Sequence, residues 1–301
     1  MRIDRLLRRA EDPEPAPRRG RAAAGEEAAP PARRPGTFDE RPPVPSCPPG
    51  WRTGAPDFVI VGAQKAGTTW WFKLIEAHPS VVQPEGQRPE LHYFDRLWDT
   101  WPDAASIAAY HRYFPRPDGS LAGEKTPAYA SVPWVLPMLR AAAPDTRIIH
   151  IVRDPVTRYL SGRRHAERAW RKAGLELADV PVGDQRRVVV DAIETGCYAR
   201  QVERMRALFP AERTLVLQYE RNQADPQGQL DRTYAFLGLP PHTLSADELA
   251  RPRNASTGQP VVVAPEHLAF LRDHYRPDVL RLRTLVPDLD LSLWPSFADL
   301  A

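Results

Sequence analysis

The residues with the clearest chemical potential lie in residues 62–69, GAQKAGTT. Gly62 and Gly67 bound a turn between an apolar run and a segment with helical character. Such a turn directs several backbone N–H groups into one concavity, and the start of the helix adds a partial positive charge. The hydroxyls of Thr68 and Thr69 are suited to capping that helix and to binding phosphate oxygens. This segment, the phosphate loop, predicts a phosphate site, and the alternative is an ordinary strand-to-helix turn.

Lys65, inside the phosphate loop, is one of only four lysines among the 41 basic residues. The nucleotide-hydrolysing pattern G-x-x-x-x-G-K-[ST] places its lysine on the helix, where this chain has Thr68. An ammonium in the loop is nearer the end of a shorter phosphate chain. No apolar run ends directly in a Mg²⁺-binding aspartate, since residues 147–152 are followed by Arg153. The pattern favours a 5′-phosphate with one further group, and a P-loop kinase of a small metabolite is the alternative.

Arg153 and Ser161 form a second pair suited to an anion. Arg153 follows the predicted strand at residues 147–152, at the end where ligands of α/β proteins bind. Ser161 lies eight residues later, about two helical turns away. A guanidinium and a hydroxyl at this spacing suit a terminal phosphate monoester. The alternative is an ion pair of Arg153 with Asp154 or Glu220.

The elements that must position these residues alternate between strands and helices. Short apolar runs predict strands at residues 58–61, 147–152 and 214–218, with a weak one at Val81 and Val82. Helical stretches are predicted at residues 67–77, 104–113, 132–143, 156–172, 186–194, 198–208, 229–237, 266–274 and 277–285. The alternation predicts an α/β fold, a P-loop-type three-layer sandwich with a central parallel sheet flanked by helices.

The composition limits the class of protein. With 301 residues, 42% apolar, the chain is long enough for one large domain or two small ones. Residues 1–55, rich in Pro and Arg, predict a disordered tail, which leaves residues 56–301 as the domain. Two cysteines exclude a disulfide scaffold.

The charge and hydropathy patterns indicate the partners to expect. A formal charge of +3 is too balanced to indicate nucleic acid. No apolar run approaches the ~18–20 residues of a membrane span, and the first 30 residues lack a secretory apolar region. We expect a cytoplasmic protein, and no feature of the sequence indicates an oligomeric state.

Five segments, in this order, resemble sulfotransferases that use 3′-phosphoadenosine 5′-phosphosulfate (PAPS), especially the heparan-sulfate type and related bacterial enzymes. They are residues 57–69 (DFVIVGAQKAGTT), 90–95 (ELHYFD), 123–129 (GEKTPAY), 149–162 (IHIVRDPVTRYLSG) and 196–239. The resemblance implies PAPS as sulfuryl donor, with no metal required. It implies an acceptor hydroxyl, or an amine, on a small molecule, glycan or lipid. A non-catalytic nucleotide-binding or scaffold protein that uses the tail is an alternative of another class.

The resemblance also implies roles for single residues. Lys65 would stabilise the leaving phosphate, helped by the amides of Ala66, Gly67, Thr68 and Thr69. Glu90 would be the general base, and the aromatic residues at 92–94 predict a raised pKa for its carboxyl. His92 would orient Glu90 or contact the acceptor, and the alternative is a packed, hydrogen-bonded histidine.

Further basic residues complete the predicted site. Lys125 would contact the sulfuryl group or Glu90, and the alternative is a salt-bridged loop lysine. Arg153 and Ser161 would bind the 3′-phosphate, and Arg253 would reach it from a loop closing over the nucleotide. On the helix after Arg153, the pattern predicts a solvated basic face, one member of which could meet an anionic acceptor; its members are Arg158, Arg163 and Arg164.

Overall fold

A computed structural model describes residues 42–84, 88–176, 179–250 and 263–301. The central sheet consists of β1 (Phe58–Gly62), β2 (Gly123–Lys125), β3 (Arg147–Val152) and β4 (Thr214–Gln218). All neighbouring pairs are parallel, and the order across the sheet is β2-β1-β3-β4. Helices flank the sheet, so the predicted parallel α/β fold is confirmed. The apolar runs of β1, β3 and β4 are buried, as a sheet covered on both faces requires.

Two strand predictions need correction. The sequence does not predict β2, because its three residues contain no apolar run. It forms by pairing with β1, where Phe58 is in register with Gly123. A Cβ atom at Gly123 would lie 2.4 Å from the carbonyl oxygen of Phe58, so the close approach requires glycine. The weak strand predicted at residues 81–82 is wrong, since Val81 makes only an isolated bridge to Leu121.

The described residues contain ten α-helices. They are α1 (Thr68–Glu76), α2 (Ala104–His111), α3 (Val135–Ala142), α4 (Pro155–Lys172), α5 (Val182–Thr195), α6 (Tyr198–Leu208), α7 (Tyr219–Ala224), α8 (Pro226–Leu237), α9 (Ala246–Ala250) and α10 (Pro265–Leu285). The sequence predicts two helices where α10 is continuous. Pro277 lies inside α10 and removes one backbone donor. Both Pro277 and Asp273, whose carbonyl loses that partner, are exposed, so water can satisfy the carbonyl.

Buried side chains of the helices join them to the sheet and to each other. Trp71 of α1 is fully buried, and its indole N–H donates to the Thr233 hydroxyl of α8 at 3.2 Å. The Tyr234 hydroxyl of α8 donates to the Leu74 carbonyl at 2.9 Å. Burial of a large aromatic side chain of this kind contributes about 2–3 kcal/mol. These bonds hold α1, and with it the phosphate loop, against the core.

Residues 42–55 are hydrogen-bonded to other parts of the domain. Arg52 pairs with Arg116 through two backbone bonds of 2.9 Å, and the Tyr113 hydroxyl donates to the Pro42 carbonyl. Most of the predicted tail, residues 1–41, lies outside the described residues, so the boundary at residue 55 stays a prediction.

The strand order brings the predicted site residues to one edge of the sheet. Because β1 lies between β2 and β3, the loop after β1 is flanked by the C-terminal ends of both neighbours. Lys125 is the last residue of β2, and Arg153 directly follows β3. In parallel sheets this edge is where ligands bind.

Candidate active site

The phosphate loop ends in a left-handed turn at Gly67. Gly67 has φ of 80° and is the N-cap of α1, with no side-chain capping bond. The prediction that a threonine caps the helix is therefore wrong, although Thr68 and Thr69 open its first turn. Amides of a first helical turn have no partner within the helix and remain available to an anion. The Ala66 amide instead donates to the Ala63 carbonyl at 3.1 Å and closes the loop.

Tyr219, which follows β4, supports the turn and Arg153. A Cβ atom at Gly67 would lie 2.7 Å from the Tyr219 ring, so glycine is needed for this contact as well as for the backbone. On the same ring, the Arg153 guanidinium stacks at 4.7 Å from the centroid. Its Nη1 donates to the Lys65 carbonyl at 3.0 Å. Arg153 is therefore part of the wall of the phosphate loop.

Asp154 and Glu220, the alternative ion-pair partners of Arg153, form hydrogen bonds with other groups. Asp154 caps α4 by accepting from the amides of Val156 and Thr157. Glu220 accepts from the Asp154 amide and from the Trp294 indole. Each carboxylate is thus occupied by backbone or indole donors.

Lys65 lies among several positive groups. Its backbone has φ of 70°, and its side chain is half-buried. Burial, followed by the charges of Arg153 and Arg168, lowers the pKa of the Lys65 ammonium, while Glu90 opposes the shift. Arg164 adds to the depression. The charges of two arginines of α4 and of the Glu90 carboxylate thus act on the same ammonium.

Glu90 lies between two cationic groups. Lys125 forms an ion pair with Glu90 Oε1, and His92 Nε2 is 3.7 Å from Glu90 Oε2. Burial alone would raise the pKa of Glu90, but the nearby His92 ring and the Lys125 ion pair outweigh it and lower the pKa to about 2. The predicted upward shift is therefore wrong, because the sequence neighbours of Glu90 matter less than Lys125, which lies 35 residues away.

Asp95 is the residue of this group that the sequence does not predict. Its Oδ2 is 2.6 Å from His92 Nδ1, and its spacing of three residues from His92 was the available signal. Burial would lower the pKa of His92, but the hydrogen bond to Asp95 and the nearby Glu90 carboxylate raise it to about 9. His92 also has a left-handed backbone with φ of 48°. The imidazole is thus a charged bridge between two carboxylates.

Residues 90–95, the Glu90 loop, are held by the motif at residues 123–129. The Lys125 amide donates to the Pro89 carbonyl at 2.9 Å. The Tyr93 amide donates to the Tyr129 hydroxyl at 2.9 Å. Two motifs that are separate in the sequence are thereby one structural unit.

The start of α4 contributes the remaining groups. Ser161 is buried at 4% exposure, two turns after Arg153. Arg158 is fully buried and donates to the Ala192 carbonyl, so its assignment to a solvated face is wrong. Burial, and then the charges of Lys65 and Arg168, lower the pKa of His165 on the same helix. Arg253 falls outside the described residues.

The site contains a phosphate loop with a lysine, a second group of basic side chains, and a carboxylate that its cationic neighbours keep ionised. Among the described residues, no three His, Cys, Asp or Glu side chains are grouped so as to hold a metal ion. No described helix has the length and apolar character needed to cross a bilayer.

The fold is that of a P-loop-type α/β protein, with several basic residues at this edge of the sheet. The sulfotransferase domain model matches residues 55–254, and the chain belongs to the sulfotransferase domain family. It is 31% identical over 271 residues to human heparan sulfate glucosamine 3-O-sulfotransferase 6, covering 81% of this chain and 76% of that protein. The predicted family is confirmed.

Two further likenesses extend the comparison. Human heparan sulfate glucosamine 3-O-sulfotransferase 3B1 is 32% identical over 190 residues, 61% of this chain. This chain spans 46% of that relative, less than half of its length. A sulfotransferase from Alicyclobacillus acidocaldarius superposes with a TM-score of 0.60 at 23% identity, over 79% of this chain and 98% of that one. This last likeness supports the fold.

Proposed function

We propose that this protein transfers a sulfuryl group from PAPS to an acceptor hydroxyl. The observation that carries the proposal is the convergence of Lys65 with the Glu90–Lys125 ion pair at the ligand-binding edge of the sheet. The phosphate loop suits a 5′-phosphate, and a carboxylate beside it suits a hydroxyl that must lose a proton. Membership of the sulfotransferase family favours this reaction over a metabolite kinase.

In the proposed reaction, the bond between sulfur and the bridging phosphate oxygen breaks while a bond to the acceptor oxygen forms. The hydroxyl proton passes to Glu90, and 3′,5′-ADP leaves. Lys65 stabilises the negative charge that accumulates on the phosphate oxygen. Lys125 turns from Glu90 toward the sulfuryl oxygens, which raises the pKa of Glu90 from about 2 and makes it a better base.

The 3′-phosphate of PAPS would be bound by Arg153 and Ser161. The stacking of Arg153 on Tyr219 supports this role, because it fixes the plane of the guanidinium before the ligand arrives. Ser161 lies on α4, the helix that follows Arg153 directly. The part given to Arg253 stays a prediction.

We infer that the acceptor is anionic. Arg164, His165 and Arg168 lie on α4 within electrostatic reach of Lys65 or Glu90. Arg164 Nε is buried with no hydrogen-bond partner among the described residues, so a ligand anion would satisfy it. The human relatives are named for a glucosamine of heparan sulfate. By analogy, a sugar hydroxyl on an anionic glycan is the favoured acceptor.

Calorimetry with 3′,5′-ADP and with Mg²⁺·ATP tests the donor. We expect binding of 3′,5′-ADP, and release of 3′,5′-ADP from PAPS in the presence of an acceptor. Glu90→Gln should abolish turnover and retain nucleotide binding. Glu203→Gln, which removes a carboxylate paired with Arg281 at the surface, is the control. A protein that binds Mg²⁺·ATP and ignores 3′,5′-ADP would refute the proposal.

A sulfated oligosaccharide and its desulfated counterpart test the acceptor. Arg164→Gln should raise KM for the sulfated acceptor only. Arg163→Gln is the control, because Arg163 contacts Tyr159 and Glu167 on its own helix. Equal use of both acceptors would contradict an anionic acceptor.

Deletion of residues 1–50 tests the alternative of a scaffold protein. An enzyme of the proposed kind keeps its turnover without them, whereas a tail-dependent scaffold loses its partner. The cytoplasmic location stays a prediction, which cell fractionation would test.

A further inference from the structure

The Glu90 loop rests on a buried carboxyl group that has no part in the proposed proton transfer. Glu124, on β2, is fully buried, as is Thr126 two residues later. Burial raises the pKa of Glu124 to about 7, although hydrogen bonds from Tyr110 and Thr126 oppose the shift and Asp95 adds to it. A buried carboxyl group is unfavourable unless its hydrogen bonds are satisfied. Its position behind the site therefore requires a physical reason.

The Thr126 hydroxyl links Glu124 to the Glu90 loop. Thr126 Oγ1 donates to Glu124 Oε2 at 2.7 Å. The same oxygen accepts from the Leu91 amide at 3.2 Å and the His92 amide at 3.4 Å. A hydroxyl has one hydrogen and two lone pairs. Because its hydrogen points to Glu124, both lone pairs face the Glu90 loop.

The second oxygen of Glu124 keeps this arrangement in either protonation state. Tyr110 Oη donates to Glu124 Oε1 at 2.6 Å. A proton on the carboxyl group can sit on Oε1 and face the Tyr110 oxygen, which leaves Oε2 free to accept from Thr126. The direction of the Thr126 hydroxyl is then unchanged.

The Glu90 loop needs external support at His92. A left-handed backbone at a residue with a Cβ atom is strained and persists only where its surroundings hold it. This conformation accompanies an imidazole that reaches Asp95 at 2.6 Å and Glu90 at 3.7 Å. The Thr126 hydroxyl binds the amide of the strained residue itself.

We propose that Glu124 is a positioning residue for the general base, acting through the Thr126 hydroxyl on the backbone of Leu91 and His92. It fixes the turn that keeps the His92 imidazole between Glu90 and Asp95. The kinetic part of this inference rests on the proposed function, whereas the structural part concerns the titration of His92 and is independent of activity.

The titration of the His92 imidazole, followed by NMR in the full chain, tests the proposal. Glu124→Leu and Thr126→Val should lower the pKa of His92 from about 9 toward 6.5, at least a tenfold loss of proton affinity, because the ring leaves its two carboxylates. Thr126→Ser keeps the hydroxyl. Glu124→Gln keeps an oxygen for Thr126 and an amide for the Tyr110 oxygen. Both conservative variants should retain the wild-type value.

Tyr110→Phe is the matched control. It removes the other hydrogen bond of Glu124 at a fully buried position and leaves Thr126 intact. We expect lower stability but an unchanged His92 titration. If Glu124→Leu does not fold, the His92 titration in Thr126→Val tests the proposal by itself, since valine preserves the side-chain volume of threonine. An unchanged His92 pKa in Thr126→Val, or an equal fall in Tyr110→Phe, would overturn the proposal.

Kinetics separate this inference from the proposed function. Thr126→Val should lower kcat for PAPS turnover at least tenfold and leave the affinity for 3′,5′-ADP within twofold. A wild-type protein without PAPS turnover would refute the sulfotransferase function and leave the His92 result to decide the positioning role. An active wild type with an unimpaired Thr126→Val variant would refute the positioning role alone.

Discussion

Lys125 and Glu90 form an ion pair across 35 residues of sequence. The Lys125 side chain is 3% exposed and that of Glu90 is 40% exposed. The lysine therefore depends on the carboxylate for its charge balance, while the carboxylate remains accessible to an acceptor. This asymmetry suits a base that is held ionised until the lysine finds a second anion.

Replacement of Lys125 should change the acid limb of the pH–rate profile. Lys125→Met removes a charge that lowers the pKa of Glu90, so that pKa rises. The acid limb should move to higher pH. Turnover should also fall at least tenfold at neutral pH, because the variant has no ammonium to place against the sulfuryl oxygens. Lys73→Met, which removes the partner of Glu76 on α1, is the control. An acid limb at the wild-type position would show that Lys125 does not tune Glu90.

His92 should make stability depend on pH in the alkaline range. Its pKa is raised from 6.5 to about 9 in the folded protein, so its stabilising effect is complete below pH 6.5. The effect is lost as pH rises through about 9, and it is worth on the order of 2 to 3 kcal/mol. Asn tolerates the left-handed backbone of His92. The unfolding free energies of wild type and His92→Asn should therefore converge between pH 6.5 and 9.5.

Chemical denaturation at several pH values measures this convergence. His111→Asn is the comparison, because the His111 ring contacts a backbone carbonyl, that of Ala142. A difference between wild type and His92→Asn that stays constant with pH would contradict the raised pKa.

Gly67→Ala should impair both stability and nucleotide binding. The added methyl group meets the Tyr219 ring at 2.7 Å, and the backbone has a positive φ. Gly119→Ala is a matched control, since Gly119 also has φ of 80° but has open space around it. The unfolding free energy of the control should fall only by the cost of a positive φ at alanine, about 1–2 kcal/mol. If both variants lose the same unfolding free energy and the same affinity for 3′,5′-ADP, a role for the Tyr219 contact is excluded.

Arg153→Lys should weaken binding of 3′,5′-ADP more than binding of 5′-AMP. Lysine cannot reproduce the fork that stacks on Tyr219 and donates to Lys65. A lost charge-assisted bond of about 1.5–3 kcal/mol corresponds to roughly a tenfold to hundredfold weaker affinity. Calorimetry with both nucleotides measures the difference. Equal losses for the two ligands would place the 3′-phosphate elsewhere.

The sequence predicts much of this protein because the informative signals are local. An unbroken apolar run predicts β1, and the glycines and Lys65 that follow it predict a phosphate loop within a few residues. The same holds for β3 followed by Arg153. The features that the sequence misses are those that depend on distant contacts, such as β2, which forms by pairing with β1 and has no apolar run of its own.

Electrostatics in the site depends on the tertiary structure in the same way. The sequence places aromatic residues beside Glu90 and so predicts a raised pKa, but the folded chain adds Lys125 and reverses the shift. It also brings the charge of Arg168 within electrostatic reach of Lys65 and buries Arg158. Residue types and their order thus determine which chemical groups are present. The fold decides which charges meet, because Coulomb energies depend on distance and burial rather than on separation along the chain.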